Sequence, residues 1–157
     1  MAKRNRIEWD ESAGAAENAR QKLPALAQSF FEAGRKAAGG KASEAALHRF
    51  RLSAKRLRYT LEFFRFCYGP GLEDRLAVLR EIQSCLGQIS DCAVTRELAA
   101  ATLPGRTAER VAADRFLQRR ARQKAAQFRR YWRTVVDVAG AERRWRSYFA
   151  RVSAKKG

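Results

Sequence analysis

Four side chains of one segment, His48, Arg51, Lys55 and Arg58, recur at steps of three and four residues. On a helix that spacing stacks them in a single row. A row of cations at this pitch meets a chain of anionic oxygens at several points at once, through charge-assisted hydrogen bonds stronger than neutral ones. Arg49 and Arg56 lie together on a flank of the same helix, and Tyr59 stands beside the row. A second set, Arg115, Arg119, Arg122, Arg129 and Arg133, falls on the polar side of a later segment. Of the 33 basic residues, 25 are Arg, whose planar fork grips phosphate oxygens two at a time where Lys offers a hydrated point charge.

Nothing comparable points to catalysis. There is no Walker pattern, no pair of carboxylates at metal-binding spacing, and no His placed to partner a Cys, so no nucleophile, base or metal cluster is expected. The expectation is a protein that is not an enzyme and that carries no catalytic residue, metal or cofactor. His48 is the only histidine. With no carboxylate or Cys beside it, it reads as a hydrogen-bonding or packing residue, and anion contact is its best functional use. The three cysteines, Cys67, Cys85 and Cys92, leave one unpaired and form no metal-ligand spacing. They read as reduced thiols of a cytoplasmic protein, with Cys85 and Cys92 on one helix face as core. No apolar run reaches membrane-spanning length, and Met1-Ala2-Lys3-Arg4 lacks the apolar stretch of a signal peptide.

The elements that position these residues are helices. Breakers at Gly39-Gly40, Gly69-Pro70-Gly71, Pro104-Gly105 and Gly140 divide the chain. Four long segments lie between them, near 12–38, 43–68, 72–102 and 107–138, with a short one near 142–152. Apolar stripes at helical spacing run through them: Ala19, Leu23, Leu26 and Phe30 in the first, Leu76, Leu79, Ile82, Leu86 and Ile89 in the third, and Leu117, Ala121, Ala125, Phe128 and Trp132 in the fourth. Pro24 either opens a helix after a separate short one or kinks a continuous helix. The fold class expected is all-α, an antiparallel four-helix bundle with a short additional C-terminal helix. It fills one domain over 12–152, between a basic N-terminal tail at 1–11 and a C-terminal tail at 153–157.

Charge is segregated among these helices. Residues 8–36 sum to −1 and residues 72–98 to −2, whereas residues 48–65 sum to +5 and residues 106–133 to +8. Helices two and four thus carry 13 of the 17 surplus charges, a concentration that an anionic ligand would offset.

Helix two also has more apolar surface than a bundle helix needs. Leu47, Phe50, Ala54, Leu57, Leu61 and Phe64 form its core stripe, and Leu52, Tyr59, Phe63 and Phe66 form a second apolar set. That set covers helix five, receives the N-terminal tail, or serves as a subunit interface.

The run His48-Arg49-Phe50-Arg51-Leu52-Ser53-Ala54-Lys55-Arg56-Leu57-Arg58-Tyr59, with Leu61-Glu62-Phe63-Phe64 after it, resembles the signature of the CHAD domain, the conserved-histidine α-helical domain. Leu79-Arg80-Glu81-Ile82-Gln83-Ser84-Cys85-Leu86-Gly87-Gln88-Ile89-Ser90-Asp91 resembles that family's leucine-glycine-aspartate segment, at matching spacing. The resemblance implies a helical fold that binds inorganic polyphosphate in a basic channel without catalysis, in the cytoplasm and in company with polyphosphate granules. The motif positions it carries over are His48, Arg51, Lys55, Arg56, Arg58 and Tyr59. It also implies two repeats where this chain has one, most similar to the C-terminal repeat. A homodimer, or a heterodimer with a half-size companion, would supply the other. Gly87 is expected to let another helix approach closely, and Asp91 to pair with a basic side chain.

Two other readings remain beside this one. Arg-rich helices hold phosphate backbones of any polymer, so nucleic acid is the main rival. Trp145 and Tyr148 in the basic final segment are its best candidates for base stacking. The third reading is a scaffold whose basic face binds an acidic protein.

Overall fold

The computed structural model describes residues 7–103 and 105–151. The expected C-terminal tail, the first six residues of the N-terminal tail and position 152 of the last helix lie outside the described residues. Five helices run in order: α1 Ala15–Ala37, α2 Glu44–Phe63, α3 Gly71–Thr102, α4 Ala108–Tyr131 and α5 Ala141–Ala150. A 3-10 turn, Arg65–Cys67, follows α2, and α4 widens into a π-helical turn at Trp132–Val136. No strand occurs among the described residues, and no helix among them is long and apolar enough to cross a membrane.

The helix starts follow from local chemistry. Ser43 Oγ accepts from the Ala46 N–H at 3.1 Å and Thr107 Oγ1 from the Arg110 N–H at 3.3 Å, each satisfying a backbone donor that the helix leaves open. The cap of α1 is Gly14, which makes no side-chain cap; the buried Asn18 instead ties the preceding loop to the helix. Its amide nitrogen donates to the carbonyls of Asp10, Ala13 and Gly14, and its amide oxygen accepts from the Asp10 N–H at 2.8 Å. Residues 10–14 are folded back onto α1 by these bonds. Pro24 sits inside α1, which runs through it without interruption.

The helices are antiparallel neighbours: α2 beside α3, α3 beside α4, and α5 along α1. Their shared core is aromatic. Phe30 of α1 lies 5.5 Å from Phe50 of α2 and from Trp132, and 5.6 Å from Trp145 of α5. A Cβ on Gly34 would stand 1.9 Å from the Trp132 ring. Only glycine therefore lets α1 approach the indole that the π-helical turn places there. Phe128 and Trp132 are core, as their spacing predicts.

Candidate functional site

The cationic row of α2 leans onto α3. His48 Nδ1 lies 3.3 Å from Ser90 Oγ, and Glu62 receives Arg58 at 3.5 Å and Arg80 at 3.7 Å. Between these contacts the Arg51 guanidinium lies over Gly87, whose added Cβ would stand 3.6 Å from Arg51 Nε. That is an ordinary van der Waals distance, so the close approach of another helix expected at Gly87 is not found: its neighbour is the Arg51 side chain, which a Cβ would not displace.

The seam holds donors without acceptors. Arg51 Nε, Arg58 Nε and Gln83 Nε2 are buried and have no hydrogen-bond partner. A buried unpaired donor costs about 1–3 kcal/mol, which an anionic oxygen reaching it would offset. Gln83, Gly87 and Ser90 recur at steps of four and three on α3, so Gln83 shares the side of α3 that meets α2. Sequence reasoning missed Gln83, although its spacing from Gly87 was available; what was not available was that α2 lies against this side.

Beyond the row, α2 presents the second apolar set. Leu52 is 47% exposed, Tyr59 50%, Phe63 69% and Phe66 58%, so the set is not covered by α5. Among the described residues the N-terminal segment covers one edge. Trp9 lies 5.4 Å from Phe64 and lines a groove with Leu52, Lys55, Arg56, Tyr59 and Phe63. Lys55 and Arg58 stand 5.6 and 4.8 Å from the Tyr59 ring, a placement that braces both cations against its negative π-face. Arg49 is exposed on the same flank.

The arginines of α4 are distributed around the helix. Arg115, Arg119 and Arg122 line one shallow groove with Gln118. Arg122 and Arg129 line a cleft with Leu47, Ile89 and Arg96. Arg133 donates to the Ala38 carbonyl at 3.5 Å. The α2 row therefore rests on α3, while Arg122 and Arg129 face the start of α2 from another side. Arg120, which the sequence did not single out, reaches α3 instead and donates to Gln88 at 3.4 Å.

Two further expectations are corrected. Trp145 is buried and stacks on Phe30, and Tyr148 stacks on Tyr68, donates to the Gly69 carbonyl at 3.0 Å and carries the Arg75 guanidinium 3.8 Å over its ring. Neither ring is free to stack on a base, because both close the seam between α5 and the rest of the bundle. Asp91 has no ion-pair partner among the described residues; its backbone carbonyl accepts from Thr95 Oγ1 at 2.8 Å.

Burial pushes the Cys67 and Cys85 thiols above their ordinary range, which keeps them protonated and inert at neutral pH. The three cysteines are free and buried. No group of three His, Cys, Asp or Glu placed to hold a metal occurs among the described residues.

A family model described as CHAD domain matches residues 3–100. No curated protein and no solved structure matches the chain.

Proposed function

The chain belongs to the CHAD domain family, and from that premise we propose that it binds inorganic polyphosphate without transforming it. Domains of this family bind polyanions. The observation that carries the finer reading is the row of α2, where His48 lies along the α3 seam with Arg51 and Arg58, whose guanidinium Nε atoms are buried and unpartnered, and Lys55 stands exposed beside them over Tyr59. Arg49 and Arg56 flank it, Tyr59 braces two of its cations, and Arg115, Arg119, Arg122, Arg129 and Arg133 extend the positive surface along α4. A flexible chain with a negative charge on each unit can follow cations that lie on different sides of the bundle, whereas a stiff duplex reaches one side at a time.

The same reading includes a homodimer joined through Leu52, Tyr59, Phe63 and Phe66, supported by their exposure. A cytoplasmic setting near polyphosphate granules belongs to it as well.

Calorimetric titration with polyphosphate, single-stranded and double-stranded nucleic acid at matched salt tests the ligand. Polyphosphate should bind tightest, with affinity falling steeply as salt is raised, because bound counterions are released. A preference for RNA or duplex DNA at matched salt would replace this reading with nucleic-acid binding.

A further inference from the structure

We propose that the cleft between the end of α3 and the start of α4 carries a second ligand site, which shares Arg115 with the positive surface of α4 but no residue with the α2 row, and which takes a nucleoside polyphosphate. The end of α3 and the start of α4 enclose a cavity of about 430 Å³, within the roughly 300–1,000 Å³ typical of small-molecule sites. Four guanidiniums line it: that of Arg96, which is paired with Asp114 and Glu44, and the three of Arg106, Arg110 and Arg115. Among the described residues none of the three pairs with a carboxylate; Arg110 Nη1 instead donates to the carbonyls of Leu103 and Gly105 at 3.4 and 2.9 Å. Those bonds hold the Arg110 guanidinium in place and leave its remaining N–H groups for a ligand. The positive end of the α4 dipole lies at the same place, since α4 begins at Ala108.

The remaining lining identifies the ligand. Ala99, Ala100, Val111 and Leu117 form apolar walls in the same cavity. A bare phosphate chain has nothing to lay against them, and they would stay wet. A nucleoside covers them with its base and ribose, while its phosphates meet the arginines. Guanidinium planes also stack on planar rings. Gln118 donates to Asp114 Oδ2 at 3.1 Å, which turns its amide oxygen into an acceptor for a base amino group. Arg96 is held by Asp114 at 2.8 Å and closes the inner end.

This site is distinct from the α2 row, which rests on α3 at Gly87 and Ser90. Arg106, Arg110 and Arg115 also lie beyond the family-matched residues 3–100. The inference does not depend on polyphosphate being the ligand of α2.

The test is calorimetry on the full chain with ATP and with inorganic tripolyphosphate at matched ionic strength. ATP should bind at least about tenfold tighter, since contact of the base with the apolar walls exceeds the roughly 1.4 kcal/mol that this ratio requires. Arg106→Ala with Arg115→Ala should weaken ATP by about tenfold or more. Ala100→Trp, at an exposed position, should fill the cavity and remove the preference for ATP while leaving long-chain polyphosphate bound. The variant lacking Arg51, Lys55 and Arg58 should keep its ATP affinity. Equal affinity for ATP and tripolyphosphate, or ATP binding that survives both the double variant and Ala100→Trp, overturns the proposal. So does ATP binding lost with the α2 cations, which would make it one more anion on that row. If long-chain polyphosphate fails to bind and the ATP results hold, the earlier reading falls and this one stands.

Discussion

On α1 and α3 the arginines, except Arg75, which lies over the Tyr148 ring, have carboxylate partners: Arg20 meets Glu17, Arg35 meets Asp137 and Glu142, Arg80 meets Glu62 and Glu73, and Arg96 meets Asp114 and Glu44. On α2 and α4 most do not. Arg58 shares Glu62, but Arg49, Arg51, Arg115, Arg119, Arg122 and Arg129 have no carboxylate partner among the described residues. Both sets are arginine on amphipathic helices, so composition does not separate them. What differs is the supply of carboxylates: five in residues 72–98 and five in 8–36, against one in 48–65 and two in 106–133. Paired guanidiniums orient helices, as Arg35 does by tying α1 to the segment that leads into α5. Unpaired ones repel each other, and they remain available to an anion from outside.

The comparison presumes that both sets stand on one packed core, and the largest expected effect tests that. Trp132→Ala should cost about 3–5 kcal/mol, read from denaturant unfolding. It removes a ring that meets Phe30, Phe31, Phe50 and Phe128 and lies on Gly34. A loss below about 1 kcal/mol would mean that α1 and α4 do not pack as described.

Phe63→Asp comes next. It should dissociate the proposed dimer without unfolding the chain, because Phe63 is exposed in the single copy. Removing a Phe from an interface loses roughly 1.5–3 kcal/mol of burial per copy, enough for light scattering to show a change from dimer to monomer. A parent chain that is monomeric at high concentration, with and without polyphosphate, would remove the interface from the comparison.

Arg51→Ala, Lys55→Ala and Arg58→Ala combined should weaken polyphosphate binding at least about tenfold, which needs roughly 1.4 kcal/mol. Helicity should be retained, since these side chains lie outside the core stripe. A folded triple variant that binds as tightly as the parent would show that the α2 row is not the site.

The smallest effect falls on the paired set. Arg35→Ala leaves Asp137 and Glu142 without their shared cation, but the side chain is 45% exposed. Solvent screening limits the loss of stability to about 1 kcal/mol or less, and polyphosphate affinity should not change beyond the general loss of one positive charge. If this variant weakens binding as much as the α2 triple variant does, pairing does not distinguish the two sets.

Much of this frame was legible before any coordinates. Glycine and proline breakers divided the chain into the segments that form its helices, whereas the caps Ser43 and Thr107 were not singled out. The stripe Leu47, Phe50, Ala54, Leu57 and Leu61 is buried as its period requires. Trp145 and Tyr148 were misjudged because a basic neighbourhood of arginines says nothing about which way a ring turns. Both rings turn inward against α1, Tyr68 and Arg75. Gly87 was expected to let another helix approach closely, but its neighbour is a guanidinium at an ordinary contact distance.

The sequence by itself determined the helices, their apolar sides and the uneven supply of carboxylates, since period, caps and charge are local properties of the chain. Which helix each side meets was decided by tertiary structure. The antiparallel register of α2 and α3 brings Arg51 to Gly87 and His48 to Ser90, contacts 36 and 42 residues apart in sequence. The rotation of α4 about its axis sends Arg120 to Gln88 and Arg122 toward Leu47. No local rule sets that rotation, because it is fixed by how Phe128 and Trp132 pack against aromatic side chains contributed by the other helices.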